Sequence, residues 1–321
     1  MSSALHLRSR PEGGEPQGPS EAKVVTLLAP RRILFLVHGY NNTEPVADRA
    51  FAAFEDIQRE LGGMAGGQDY ALGWEVVRVY WAGDADWSIA SALFYMGAVT
   101  NAKATGQILA GLIGRLGGRD RGQGGAEGNL AEIAFVAHSL GCRVVLETLR
   151  NMRDLECSAR VERAVFFAAA VPVFKLERAG GDNLADAADG IFNEWLSLFS
   201  ESDTVLGTSF PLGQTLASGN EGLFPTALGY TLWASPRTTA VLSQAENRGA
   251  GHGDYWGWDP KTRETNGHFA NYHARSTLRL EPPPANRETG SRSPVVRSLE
   301  AREIGIRRRE ERETALPPAY V

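Results

Sequence analysis

The sequence predicts an α/β fold, a mostly parallel central sheet with helices on both faces. Three observations carry this expectation. Apolar runs such as residues 33–37 and 133–137 are continuous rather than alternating, as in strands buried on both faces. Segments with apolar residues at helical spacing lie between them, and strands alternating with helices imply parallel pairing. One apolar run also stops abruptly at Ser139, where a helical pattern starts at once.

The elements follow in order. Residues 1–24 are rich in Gly, Pro and Ser and read as a disordered leader. They lack the apolar stretch of a secretory signal, which predicts a cytoplasmic protein. The folded domain is expected over residues 25–276. Its first strand, 33–37, leads into His38-Gly39-Tyr40-Asn41-Asn42. Residues 47–61 place Phe51, Phe54, Ile57 and Leu61 at helical spacing. Residues 74–81 read as a strand, and 88–116 as a long helix or helix pair rich in small residues. Strands at 133–137, 164–171 and 195–199 complete the pattern, with a helix directly after Ser139. A final helix starts within 266–273. From residue 277 onward, Pro282, Pro283, Pro284 and interspersed Arg and Glu predict a charged, flexible tail over 277–321.

Composition narrows the function. A net charge of −5 speaks against nonspecific nucleic-acid binding, which usually needs a basic face. Two cysteines, Cys142 and Cys157, supply neither a disulfide framework nor a four-cysteine zinc site. No apolar stretch reaches the roughly 18 residues that suggest a transmembrane helix. Asp182, Asp254 and Asp259 lack the spacing of a metal site, so no metal or other cofactor is expected. The glycine-rich stretch from Gly117 to Gly128 is followed by neither Lys-Ser nor Lys-Thr, and reads as a loop rather than a phosphate cradle. The sequence sets no oligomeric state.

The chemistry centres on Ala137-His138-Ser139-Leu140-Gly141. A strand, a sharp turn carrying a serine, and a helix make a nucleophile elbow, with small residues two positions either side of the strained serine. Here alanine stands where glycine is usual. Serine is a weak nucleophile until a base takes its proton and a carboxylate orients that base. Asp203, in the loop after the 195–199 strand, is the candidate carboxylate, with Glu201 the nearest rival and a helix N-cap the structural alternative. Among the later histidines, His252 lies between Gly251 and Gly253, where a permissive loop lets an imidazole reach the serine. His268 and His273 read instead as surface or capping residues. His138 points away from the serine in an elbow and packs or hydrogen-bonds behind the turn. Backbone N–H groups of Leu140 and Tyr40 are the candidate oxyanion donors.

These blocks make the chain resemble the α/β-hydrolase superfamily, specifically a lipase/esterase-like bacterial branch of uncharacterised function. The resemblance covers about residues 30–276. It implies a sheet of eight strands or slightly fewer and a Ser-His-Asp triad, but no particular substrate. His38-Gly39 is followed by Tyr-Asn-Asn rather than further glycines, a departure that suggests a two-donor backbone oxyanion hole. The expected activity is cleavage of a small-molecule or lipid carboxylic ester through an acyl-enzyme. Acyl transfer by the same triad and noncatalytic binding on a hydrolase scaffold are the alternatives. Residues 88–116 and 206–236 each read as packing, or as a lid or wall for an acyl chain.

Overall fold

The computed structural model describes residues 2–10, 14–20, 32–63, 73–83, 91–118, 132–155, 159–177, 183–216, 222–233 and 242–280. Strands β1 (Ser3–Leu7), β2 (Arg32–Val37), β3 (Glu75–Trp81), β4 (Glu132–His138), β5 (Arg160–Phe167), β6 (Ile191–Phe199) and β7 (Leu242–Glu246) form a seven-stranded sheet. Their order is β1-β3-β2-β4-β5-β6-β7 and every neighbouring pair is parallel. The helices are α1 (Glu44–Leu61), α2 (Ser91–Gly118), α3 (Gly141–Asp154), α4 (Ala185–Ala188), α5 (Phe210–Leu216) and α6 (His268–Leu278). The architecture is that of an α/β-hydrolase fold, with the serine turn at the end of a central strand.

Continuous apolar runs explain the layering. Successive strand residues face opposite sides, yet Ile33 to Val37 and Ile133 to Ala137 are all buried, so both faces of the sheet are covered. Phe35 and Phe135, opposite each other in register, stack at 5.2 Å. Helix α1 has Glu44 and a proline in its first turn, which suits a helix N-terminus. It buries Phe51, Phe54 and Ile57, and Gln58 Nε2 donates to Asn271 O of α6 at 2.9 Å. Helices α2 and α3 lie close enough that a Cβ on Gly106 would meet Glu147 Cβ at 2.6 Å. Glu147 is itself buried and takes ion pairs from Arg143 (2.7 Å) and Arg150 (2.8 Å).

Several expectations are corrected. The leader assigned to residues 1–24 is not disordered at its start: residues 3–7 pair in parallel with β3, and Leu5 and Leu7 are buried. Arg8 adds an ion pair to Glu44 at 2.9 Å. The strand expected at 164–171 runs instead from Arg160 to Phe167. It ends where Ala168 takes φ 46°, and the next residues turn toward the serine. Strand β7 lies where the sequence predicts none, because Leu-Ser-Gln-Ala-Glu has neither a β-branched residue nor an apolar run. The packed body also reaches past residue 276, since Thr277, Leu278 and Leu280 are buried. Residues 281–321, which hold most of the expected tail, lie outside the described residues, as do Asp182, Cys157 and most of the glycine-rich stretch.

Candidate active site

Strand β4 delivers Ser139 to the carboxyl end of the sheet, and the backbone there is strained. Ser139 has φ 53°, a left-handed value disfavoured for a residue with a side chain. Neighbouring chain holds it in place: its N–H donates to Phe167 O at 2.9 Å, and its carbonyl accepts from Ala170 N–H at 3.1 Å. The tight turn demands a missing side chain at Gly141, where a Cβ would come within 2.3 Å of His38 O. Alanine at 137 is accommodated within the sheet, opposite Phe166 of β5.

Asp203 follows β6 through a turn in which its N–H donates to Ser200 O at 3.1 Å. Its side chain is fully buried and both carboxylate oxygens are engaged. Oδ1 accepts from Leu206 N–H at 3.0 Å, and Oδ2 lies 2.7 Å from His252 Nδ1. Glu201, the rival carboxylate, is exposed and outside this arrangement.

His252 sits in the loop after β7. Its Nε2 is 2.8 Å from Ser139 Oγ. Because a carboxylate only accepts, Nδ1 carries the ring proton, which leaves the Nε2 lone pair to accept from the serine hydroxyl. The three residues named from the sequence thus meet in one hydrogen-bonded chain. His268 and His273 are elsewhere on α6. His268 is buried rather than exposed, 3.2 Å from Glu60, and the His273 ring lies 4.4 Å from that of Phe269.

The two expected oxyanion donors belong to the residue after the serine and to the loop after β2. Ser139 N–H and Cys142 N–H are committed to Phe167 O and Ser139 O. Leu140 N–H lies between them, at the positive end of α3. Tyr40 follows Gly39, whose absent side chain lets the β2 loop approach: a Cβ there would meet Ser139 Cβ at 2.9 Å. Trp81 braces this loop, donating from Nε1 to His38 O at 2.8 Å and from its backbone N–H to His38 Nε2 at 3.1 Å. Burial drives the His38 pKa down to about 3, so the ring is neutral and accepts at Nε2.

Three further supports of the site carry no clear mark in the sequence. Trp81 holds the loop after β2, as described. Asp254 clamps the histidine loop, taking Gly251 N–H on Oδ2 at 2.7 Å and the Thr262 hydroxyl on Oδ1 at 2.9 Å. Its only signal was an aspartate two residues past Gly251-His252, in a turn-forming context. Gly229 lets its loop press onto the chain behind Ser139, where a Cβ would lie 2.1 Å from Ala169 N.

The two segments that might line an acyl site differ. From Ala98 to Ile113, α2 buries a row of apolar residues and packs on α3. The described parts of 206–236 instead expose Leu212, Leu216, Leu223 and Phe224, at 52%, 48%, 78% and 59%. This segment joins the site through Gly229, which donates to Ala169 O and accepts from Ser200 N–H. Among the described residues no cluster of metal-ligating side chains occurs, and no helix is long and apolar enough to cross a membrane.

The chain matches no protein-family model and no curated protein. Among solved structures it is similar to a gene product of Listeria innocua, at 10% identity and TM-score 0.39, covering 81% of this chain and 96% of that one. A fungal esterase structure from Rhizomucor miehei gives 11% identity and TM-score 0.37, covering 77% of this chain and 75% of its own. Esterase B of Lactobacillus rhamnosis gives 13% and 0.35, with coverages of 86% and 79%.

Proposed function

We propose that the chain is a serine hydrolase that cleaves a carboxylic ester through an acyl-enzyme. The observation that carries this reading is the continuous path Asp203–His252–Ser139, with contacts of 2.7 and 2.8 Å, ending on a serine at φ 53°. In the first step His252 Nε2 takes the proton as Ser139 Oγ bonds to the ester carbonyl carbon. The charge that develops on the carbonyl oxygen is held by the N–H groups of Leu140 and Tyr40. Collapse of this intermediate breaks the bond to the alcohol, which leaves with the proton from His252. Water then attacks the acyl-serine with His252 again as base, freeing the acid and restoring Ser139. Asp203 fixes the tautomer throughout and stabilises the imidazolium that forms.

The exposed leucines and Phe224 of the 206–236 segment support an apolar acyl part, with this segment as rim or lid. The proposal keeps the cytoplasmic setting expected from the sequence, which fractionation of cells would check. A panel of p-nitrophenyl esters of increasing acyl length, run on wild type and Ser139→Ala, tests the activity. We expect turnover in the wild type and a loss of roughly 10⁴–10⁶-fold in the variant, with unchanged far- and near-UV circular dichroism. Equal rates in the two proteins would remove Ser139 from the reaction. Adding an alcohol acceptor and looking for a new ester separates hydrolysis from acyl transfer.

A further inference from the structure

The steps above give no role to His138, yet it is the residue that joins the serine's strand to the base's loop. It closes β4 and is 5% exposed. Its Nε2 lies 2.7 Å from the backbone carbonyl oxygen of His252. A carbonyl oxygen only accepts, so Nε2 carries the proton and donates. Nδ1 is buried and makes no hydrogen bond among the described residues. Gly39 closes the space beside it, since a Cβ there would lie 2.8 Å from Nδ1. The two imidazole rings are 4.9 Å apart, tilted by 49°. On the other side, the loop is held by Gly251 N–H donating to the Asp254 carboxylate, by Asp254 N–H donating to Gly251 O and by Ala250 N–H donating to Asn247 O. His252 is otherwise flanked by two glycines, residues that leave a backbone free to move.

We propose that His138 is a positioning residue: by donating from Nε2 to His252 O, it anchors the base's main chain to the residue next to the nucleophile and sets the 2.8 Å reach from His252 Nε2 to Ser139 Oγ. Its kinetic consequence rests on the proposed ester hydrolysis; its geometric one does not. The neutral ring suits this task, because burial, helped by the neighbouring His252, lowers its pKa to about 3. The donor therefore does not change form near neutral pH. Nothing in the sequence separates such a histidine from one that merely fills space.

Two substitutions test it. His138→Phe keeps a ring and removes the donor, whereas His138→Gln places an amide N–H near the position of Nε2. With a p-nitrophenyl ester, we expect kcat of H138F to fall about 10²-fold, the loss associated with a displacement near 1 Å. KM should stay close to wild type, and H138Q should recover most of the rate. Proton NMR without substrate supplies the second reading. The low-field signal of the His252 Nδ1–H shared with Asp203, identified by its loss in His252→Ala, should persist in H138Q and disappear or broaden in H138F. If no ester is turned over but the NMR pattern holds, the positioning role stands and the hydrolase reading fails. An H138F protein with wild-type kcat or an unchanged signal overturns the role, as does an H138Q protein as impaired as H138F. Should H138F lose the native near-UV spectrum, His138→Met, flexible and without a donor, takes its place.

Discussion

At the scale of single residues, the site depends on which atom of each ring holds a proton. Asp203 is buried with one oxygen already engaged by Leu206 N–H, so its other oxygen is left to dictate the His252 tautomer. Asp203→Asn offers an amide whose N–H₂ favours the opposite tautomer and presents the wrong face of the imidazole to Ser139. We expect kcat to fall roughly 10⁴-fold with KM little changed. Steady-state kinetics on a p-nitrophenyl ester, beside urea unfolding to show that the fold persists, provides the check. A variant within tenfold of wild type would remove Asp203 from its role. That Ser139, Asp203 and His252 meet was legible in the sequence because each has a local marker: an elbow, the loop closing a strand, a histidine between glycines. Trp81, Asp254 and the contact from His138 were not. Trp81 and His138 act through the direction of a side chain across two strand ends, and Asp254 through the folding of its own loop, neither of which a short stretch of sequence encodes.

At the scale of elements, the strands and helices with strong periodicity fell close to their expected positions, and those whose pairing supplies most of the signal did not. Strand β1 shows why. Its five residues alternate, placing Leu5 and Leu7 inward, but they lie beside a Gly- and Pro-rich stretch whose composition hides them. Strand β5 begins with Arg160, Glu162 and Arg163 around a single valine, charged residues that mask a strand until the sheet around it is known. The β1 correction carries a consequence for stability. Leu7 is fully buried, so Leu7→Ala should cost about 2–5 kcal/mol. The urea midpoint measures it, and a value unchanged from wild type would return residues 3–7 to the disordered leader.

For the whole molecule, two buried neutral histidines tie stability to pH. His38 and His138 each have a pKa lowered from 6.5 to about 3, by burial first, with the neighbouring His252 adding to the effect at His138. The unfolded chain takes up these protons near pH 6.5 and the folded chain does not until near pH 3. The stability they contribute is therefore complete above pH 6.5 and drains away as pH falls toward 3. Each group contributes a slope of about 1.4 kcal/mol per pH unit inside that window. Urea unfolding at a series of pH values from roughly 7 down to 4.5, a range above most carboxylate titration, should show a steep loss. The slope should be shallower in H138Q, which lacks one of the two groups. A flat profile would mean that these rings are hydrated or charged in the folded protein.

Whether Ser139 is an activated nucleophile is read covalently: reaction with a fluorophosphonate probe, wild type beside Ser139→Ala, followed by mass mapping of the labelled peptide. An activated serine attacks phosphorus and keeps the adduct, whatever the natural ester. We expect a single adduct on Ser139 in the wild type and none in the variant. A folded wild-type protein that stays unlabelled, or one labelled equally when Ser139 is replaced, would contradict it.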